Sequence, residues 1–428
     1  MRRGIGLLVG GLVALLCPLH LRVEAQTAFS PDSKTLATVN AKHAIELWDA
    51  ATGALKKTLT GHETPPLGLA FAPSGQTLVS WNRDGEAILW DTSAGRLKQW
   101  LFREKISNSD GFPVAYAPDG KTVAVGTLGV EDIPNQSRRL VAGIRLSDTY
   151  SGTRQHVLKV EPYNPVNSLT FWPDHRLLTV ACGYSTQLWD LRTGRRLWSV
   201  PGGLYASVLA ISQDGRIAVV AGRPTVKAKP TTPANTPGHN PDPFTTPSTF
   251  PPVKRPFGWR GGGSGGFGGD SAERYNNPEV WDLRARRRLC FLVGHAYGVD
   301  NVLLSPDGKT IVSRGSQMEI RADTGMTVEE WKAWDTRSGR LLWEVRGGET
   351  SRERVISPDS RWLLGNGKIY DMRTGHLVQT LEQVPSDGAD YLYSPHYSPD
   401  GQYIAAGFGA PTVWSAKTGK ILWQHPSR

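Results

Sequence analysis

Short stretches of alternating apolar and polar residues, separated by turn residues, follow one another along most of the chain. In residues 305–335 a Ser-Pro-Asp-Gly turn precedes an apolar run, and a second run ends in Trp334-Asp335. A further turn carrying Ser338-Gly339 leads into a third run. Alternation with period two predicts half-buried β-strands, and helical periodicity is scarce throughout. The pattern therefore predicts an all-β fold.

The turn signal occurs eight times, and Pro or Gly supplies the backbone geometry of a hairpin turn at each copy. The copies begin at Ser30, Ala72, Ala117, Trp172, Ser212, Ser305, Ser357 and Ser398. An aromatic–acid step or a degenerate form of it follows each turn, at Trp48, Trp90, Ser147, Trp189, Trp281, Trp334, Tyr370 and Trp414. The undisturbed spacing is about 42 residues, which is the period of a four-stranded propeller blade.

Eight such units predict an eight-bladed β-propeller of four-stranded antiparallel blades over residues 26–428, with seven blades as the alternative. A single unit cannot cover its own apolar faces, so the units must stack and close into a ring. The last unit has its own fourth strand at 421–425. Closure of the ring therefore needs no strand from the N-terminus.

The repeats resemble the WD40 family, and the second unit carries the resemblance best, through Gly61-His62, the Ala72–Gly75 turn and Trp90-Asp91. In that family a His, a Ser or Thr, an Asp and a Trp form a hydrogen-bonded tetrad inside a blade. The resemblance maps this tetrad onto His62, Ser80, Asp84 and Trp90. It implies a structural role, since a buried imidazole between a hydroxyl and a carboxylate satisfies polar groups that are costly to bury alone.

A second resemblance is to the tryptophan-docking repeats of pyrroloquinoline quinone propellers, through Trp198, Trp343 and Trp423 after their Gly-containing turns. That group includes dehydrogenases and a non-catalytic outer-membrane scaffold. The Ser-Pro-Asp-Gly and Trp-Asp steps favour WD40, and no quinone pocket or calcium-ligating acids can be identified. We therefore expect no cofactor and no metal.

Residues 1–25 have the features of a secretory signal peptide or an uncleaved signal anchor. Two arginines precede an apolar run from Ile5 to Cys17, and a small-residue site ends at Ala25. We expect an exported protein, periplasmic or extracellular, or membrane-anchored if the leader is retained. His20 stands as far before Pro31 as His62 stands before Pro73, so the leader overlaps the first repeat. Cys182 and Cys290 lie in strands of different units, and we expect them to be free thiols.

Three units carry extra residues between their second and third strands, all predicted on the face opposite the Ser-Pro-Asp-Gly turns. The fifth unit has the longest one, a Pro/Thr-rich and then Gly-rich segment at 223–277 that is predicted to be disordered. Loops on one face predict a binding surface. The candidate binding residues in these loops are Glu131, Asp132, Arg138, Arg139, Arg255, Trp259, Arg260, Arg321 and Asp323.

The positive net charge of the chain allows a second kind of partner, an anionic polymer. The chain carries a formal charge of +10, and basic and aromatic residues interleave in 223–277. Such a pattern suits an acidic polymer or glycan, and an exported chain would meet these before it met nucleic acid. The Arg284–Arg288 cluster is interpreted instead as an exposed hairpin tip.

Catalytic motifs are missing from the sequence: there is no HExxH, no paired Cys-x-x-Cys, no phosphate-binding glycine loop and no nucleophile elbow. We therefore expect a non-enzymatic scaffold that binds one or more unknown proteins through the insertion-bearing face. The alternatives are a glycan- or polyanion-binding propeller, and a hydrolase, lyase or quinoprotein with its site at the channel mouth.

Overall fold

The computed structural model describes the residues 26–103, 113–131, 139–150, 154–160, 166–182, 185–201, 207–212, 214–221, 277–295, 299–321, 324–346, 354–383, 395–407 and 411–425. These residues form 32 β-strands, grouped in chain order into eight four-stranded antiparallel sheets. Each sheet is one blade, and the eight blades form a ring. The prediction of an eight-bladed propeller is confirmed, and the seven-bladed alternative is wrong.

The first four blades contain β1 Thr27–Phe29, β2 Thr35–Val39, β3 Ile45–Asp49, β4 Leu55–Leu59; β5 Gly68–Phe71, β6 Thr77–Trp81, β7 Glu86–Asp91, β8 Arg96–Arg103; β9 Val114–Tyr116, β10 Thr122–Glu131, β11 Arg139–Asp148, β12 Arg154–Val160; and β13 Val166–Phe171, β14 Leu177–Cys182, β15 Ser185–Asp190, β16 Arg195–Pro201.

The last four blades contain β17 Ser207–Ile211, β18 Ile217–Ala221, β19 Glu279–Asp282, β20 Arg287–Phe291; β21 Val299–Leu304, β22 Thr310–Arg321, β23 Thr324–Asp335, β24 Leu341–Arg346; β25 Arg354–Ile356, β26 Trp362–Gly365, β27 Lys368–Asp371, β28 Leu377–Thr380; and β29 His396–Tyr397, β30 Tyr403–Ala406, β31 Thr412–Ser415, β32 Ile421–Gln424.

A tight turn joins the first and second strands of each blade, and in several blades side chains of the turn itself fix its shape. In blade one the Ser30 hydroxyl donates to Asp32 Oδ1 at 2.5 Å and accepts from the Thr35 amide at 2.9 Å. Ser33 closes the turn with a φ of 60°, where most other blades have Gly. The same serine–aspartate pair recurs at Ser305, Ser357 and Ser398. These turns define one face of the ring, called the turn face below.

Antiparallel pairing sends the connection between the second and third strands of each blade to the opposite face. This second face is called the arm face, because β10–β11 and β22–β23 extend there. The first strand of each blade lies innermost, and successive first strands contact one another around the ring, β29 against β1 included. The central channel is therefore bounded by the eight first strands, with its mouth on the turn face at the eight turns.

The apolar core lies between blades rather than inside any single one. Clusters of buried side chains join blade one to two, three to four, and five to six, and others continue the sequence around the ring. The Trp of the Trp-Asp step is buried in six blades, at Trp48, Trp90, Trp189, Trp281, Trp334 and Trp414. Blade three has Ser147 there, and Ile144, Leu146 and Leu158 fill the space instead.

The ring closes through contacts between blades eight and one. The Trp423 indole donates to the Ala50 carbonyl at 2.9 Å, and the Asp400 amide donates to Ser33 Oγ at 3.1 Å. Phe29 stacks on Tyr403 with 6.5 Å between ring centroids. Blade eight has its own fourth strand, β32, paired to β31. Closure without a borrowed strand is therefore confirmed.

Two further expectations concern cysteine and the membrane. Cys182 is buried and Cys290 half-buried, and both are free thiols, as predicted. Burial raises the pKa of the Cys290 thiol to about 11. Across the described part of the chain, no helix has the length and apolar character that crossing a membrane would need. The predicted leader, 1–25, lies outside the described residues.

Candidate functional site

Blade two holds three of the four residues predicted to form a tetrad. His62 Nε2 lies 2.6 Å from Ser80 Oγ, and the Trp90 indole donates to the same oxygen at 2.7 Å. All three side chains are buried. The Ser80 hydroxyl lies inside the blade and bonds to both an imidazole and an indole, so its role is to stabilise the packing of the strands.

Asp84 does not complete this set, which corrects the sequence assignment. Its carboxylate accepts from Thr64 Oγ1 at 2.7 Å, and its amide donates to Asn82 Oδ1 within the β6–β7 turn. The carboxylate that faces His62 is Glu86, with 3.7 Å between Oε2 and Nδ1. Glu86 begins β7 and reaches the imidazole from the neighbouring strand, whereas the turn directs Asp84 toward Thr64.

His62 remains neutral near pH 7 in this environment. Burial lowers its pKa to about 4, with a smaller contribution from the nearby His43 charge. The Glu86 carboxylate would act in the opposite direction, but 3.7 Å is too long for a hydrogen bond, and Glu86 already accepts from Asn82 at 2.7 Å. Burial is therefore the dominant effect.

Blade six contains a complete tetrad that the sequence reasoning did not assign. His295 Nε2 lies 2.6 Å from Ser313 Oγ, its Nδ1 lies 2.7 Å from Glu330 Oε1, and the Trp334 indole donates to Ser313 Oγ at 2.7 Å. The signal was available in the sequence: Glu86 and Glu330 both stand four residues before the Trp of a unit that has Gly-His.

A buried cation, Lys332, extends the hydrogen-bonded network of blade six. Lys332 Nζ lies 3.2 Å from Glu330 Oε2 and 3.3 Å from Glu344 Oε2, and it also donates to the Gly294 carbonyl. The side chains of Lys332 and Glu330 are only 4% and 2% exposed. The base of the blade-six arm is therefore fixed by paired charges and shared hydrogen bonds, which is a rigid support for what projects from it.

The extra residues of blade six form a paired hairpin. β22 pairs with β23 without a break from Thr310↔Asp335 to Arg321↔Thr324. β22 has 12 residues where the matching strand of blade two, β6, has 5. Six residues beyond Gly315 correspond to about 20 Å of additional strand. Alternating polar and apolar residues in 317–321 suit a two-stranded ladder, and that pattern was legible in the sequence.

A shorter arm projects from blade three, where β10 and β11 pair up to Glu131↔Arg139. Glu131 and Arg139 thus end this ladder, and Arg321 ends the blade-six ladder at Thr324. The segment 223–277 connects β18 to β19, the corresponding connection of blade five. All three insertions therefore leave the arm face. Asp132, Arg138, Arg255, Trp259, Arg260 and Asp323 lie outside the described residues, as does 223–276.

The turn face differs from the arm face because its connections are short. The Arg284–Arg288 cluster is an exposed hairpin tip there, as predicted, with Arg286 at a φ of 53° where other blades place Gly. Arg288 pairs with Glu279 at 3.5 Å. Within the described ranges, no group of three or more His, Cys, Asp or Glu is arranged to hold a metal ion.

All three tryptophans singled out as docking residues contact a neighbouring blade, and Trp343 and Trp423 do so through hydrogen bonds. Trp343 donates to the Met372 carbonyl of blade seven at 2.7 Å, as Trp423 does to Ala50 of blade one. Each ring lies over a turn glycine: a Cβ added to Gly375 or Gly53 would come within 2.8 or 2.7 Å of the indole. Trp198 instead packs in the apolar cluster between blades four and five.

Comparison with known families finds a match to the WD domain, G-beta repeat, over residues 53–91. The matched span begins at the turn before β4 and ends with β7, so the sequence repeat combines the outer strand of blade one with the first three strands of blade two. This offset agrees with the contacts between blades, since one repeat contributes to two neighbouring sheets.

Relatives by sequence include the small ribosomal subunit protein RACK1z of Oryza sativa subsp. japonica, 30% identical over 131 residues, which are 29% of this chain and 36% of the relative. RACK1 of Caenorhabditis elegans is 27% identical over 30% of this chain and 40% of its own length. Autophagy-related protein 16 of Arabidopsis thaliana is 28% identical over 34% and 28%. The matches therefore cover well under half of each relative.

A solved structure covers far more of the fold. The computationally designed Ika8 protein superposes with a TM-score of 0.59 over 93% of this chain and 98% of its own, at 17% identity. At that identity the likeness concerns the fold alone.

Proposed function

We propose that this chain, a WD40-type β-propeller, is a non-enzymatic scaffold that holds one or more protein partners on its arm face. The observation that carries the proposal is the placement of every long insertion on that one face: the blade-three arm, the blade-six arm and the β18–β19 connection. Length added on one face only is the arrangement expected when a rigid ring presents loops for binding. RACK1 and autophagy-related protein 16, the relatives above, are consistent with this class of protein.

The blade-six arm also suggests how a partner would bind. Beyond Gly315, the described ladders pair β22 only with β23. On β23, the residues before Glu330, toward the tip of the arm, likewise pair only with β22 in the described ladders. Each arm strand thus has an edge of backbone amides and carbonyls that no described ladder uses. An extended segment of a partner can add to such an edge as a further strand.

The buried network at the base of the arm supports this role. His295, Glu330 and Lys332 tie the first paired residues of the arm to the blade, so a partner strand would meet a positioned edge. Pre-organisation of this kind reduces the ordering that binding would otherwise require.

Site-specific photo-crosslinking in the native host tests the proposal. A photoreactive phenylalanine at Gln317, on the arm, should give a discrete crosslinked species, and the same label at Arg337, on a turn-face hairpin, should not. Replacing 316–329 by Asn-Gly should abolish the species while leaving the melting temperature within about 2 °C, because the network below Gly315 is retained. A crosslink only from Arg337, or one that survives arm removal, would count against the arm face.

We further propose that the chain acts outside the cytoplasm, on the leader-like composition of residues 1–25. Mass spectrometry of the chain isolated from its host should show an N-terminus after Ala25, or an intact leader in the membrane fraction. A full-length chain confined to the cytosol would contradict export.

A further inference from the structure

The mouth of the central channel on the turn face contains a cavity of about 520 Å³. Its walls come from blades five to eight only, where residues at the ends of the innermost strands and the prolines of the following turns meet. The lining residues are Ile211, Leu304, Pro306, Val355, Ile356, Pro358, His396, Tyr397 and Pro399. This is the size of cavity that takes a small molecule.

Two polar atoms at this cavity are enclosed and lack hydrogen-bond partners. His396 Nε2 and Tyr397 Oη are both shielded from solvent, and neither bonds to any residue in the described part of the chain. Tyr116 offers a contrast, because it holds the position of Tyr397 in blade three and its hydroxyl lies 3.4 Å from Thr77 Oγ1. Enclosed polar groups are normally satisfied, so two unsatisfied ones beside a cavity indicate a missing partner.

The cavity is also electrically neutral. None of its nine lining residues is Lys, Arg, Asp or Glu. Burial lowers the pKa of His396 to about 4, so the imidazole is uncharged near neutral pH. Burial also raises the pKa of Tyr397, with the Asp359 charge adding to the effect, so the phenol keeps its proton. Among the lining residues a charged ligand would find no counter-charge to offset the loss of its hydration.

We propose that this channel-mouth cavity binds a small uncharged molecule with a compact apolar ring body and a hydrogen-bonding edge. Three prolines and the aliphatic side chains pack against the body, while Tyr397 Oη donates to the ligand and His396 Nε2 bonds to the same edge. The site lies on the face opposite the arms, so ligand and protein partner would occupy the propeller together.

Titration of the full chain with 2-quinolone, followed by saturation-transfer NMR, tests this inference. The probe is flat and uncharged and carries adjacent N–H and C=O groups. Naphthalene-2-carboxylate has a similar body with a negative charge, and should bind more weakly. Loss of one net hydrogen bond should weaken 2-quinolone binding about three- to tenfold in Tyr397→Phe and in His396→Leu.

Tyr116→Phe is the matched control, because it removes the same atom from the equivalent position away from the cavity, and its affinity should stay at the wild-type value. If His396→Leu does not fold, Tyr397→Phe decides, since it deletes a single oxygen. The absence of saturation transfer, equal affinity in all variants, or tighter binding of the carboxylate would overturn the proposal and leave ordered water as the partner of the two atoms.

Discussion

The buried cation of blade six gives the sharpest test of how the arm is supported. Lys332 Nζ sits between Glu330 and Glu344 at 3.2 and 3.3 Å, and its side chain is 4% exposed. Lys332→Met keeps the apolar stem and removes the charge. It leaves Glu330, with a side chain only 2% exposed, without its cation. Breaking a buried pair from one side typically costs about 3–5 kcal/mol, because the remaining charge is uncompensated.

Lys56, on the outer strand of blade one, provides a control with an exposed ion pair. Its Nζ lies 3.1 Å from Asp49, but the two side chains are 36% and 32% exposed. Solvent screens such a pair, and the expected cost of Lys56→Met is below about 1 kcal/mol. The two substitutions are chemically identical and the ion-pair distances are similar, so the difference between them reports the burial of Lys332 together with its second carboxylate, Glu344.

Thermal unfolding followed by circular dichroism or calorimetry measures both effects. If the propeller unfolds as one cooperative unit, its unfolding entropy is about 2 cal/mol/K per residue. The Lys332→Met cost then corresponds to a drop in melting temperature of about 4–7 °C, against about 1 °C for Lys56→Met. Adding Glu330→Gln to Lys332→Met removes the stranded charge and should restore at least half of the loss. Equal costs for the two lysines, or strict additivity in the double variant, would refute the reasoning.

Three further predictions follow from single contacts. Gly53→Ala should lower the free energy of unfolding by about 1–3 kcal/mol, because Gly53 has a φ of 71° and its Cβ would lie 2.7 Å from Trp423. Gly308→Ala is the control, because Gly308 has a φ of 69° but open space around it. A denaturant titration of both variants separates the backbone strain from the steric clash. His62 has a folded pKa of about 4, below its unfolded value, so the unfolded chain takes up the proton first. Stability should therefore be full above pH 6.5 and fall by roughly 3 kcal/mol as the pH drops to 4, and His62→Gln should flatten that part of the profile, whereas an unchanged slope would contradict the assignment. Cys290, with its pKa raised to about 11, should alkylate far more slowly with iodoacetamide at pH 7.5 in the native chain than in urea, and equal rates would show that the thiol is accessible.

The strands and turns followed closely from local sequence. A Ser-Pro-Asp turn such as Ser305–Asp307 is stabilised by its own side chains, with Ser305 Oγ 2.7 Å from Asp307 Oδ1, so it forms wherever those residues occur. Alternating residues then assign the faces of the next strand. These effects act over two to five residues, and for this reason the number of blades could be read from the sequence.

The acid that faces His62 depends on the local course of the chain. Asp84 and Glu86 are two residues apart, and only the course of the β6–β7 turn decides that Asp84 meets Thr64 while Glu86 faces His62. The resemblance to the WD40 family mapped the acid onto Asp84, whereas the position four residues before the Trp, held by Glu86 and Glu330, supplies the acid that faces the imidazole. In the stretch 315–330 the sequence shows the alternation of a strand, and pairing with the facing strand makes it a hairpin.

The sequence by itself determined a ring of eight hairpin modules, since turn geometry and period-two alternation depend on near neighbours in the chain. The tertiary structure alone decided which residues meet where the ring closes and where its open sites lie. Trp423 meets Ala50, and residues of four blades meet at the channel mouth, only after strands far apart in sequence have stacked. The physical reason is range: a turn is stabilised within a few residues, whereas a cavity or a closing contact depends on the packing of whole blades.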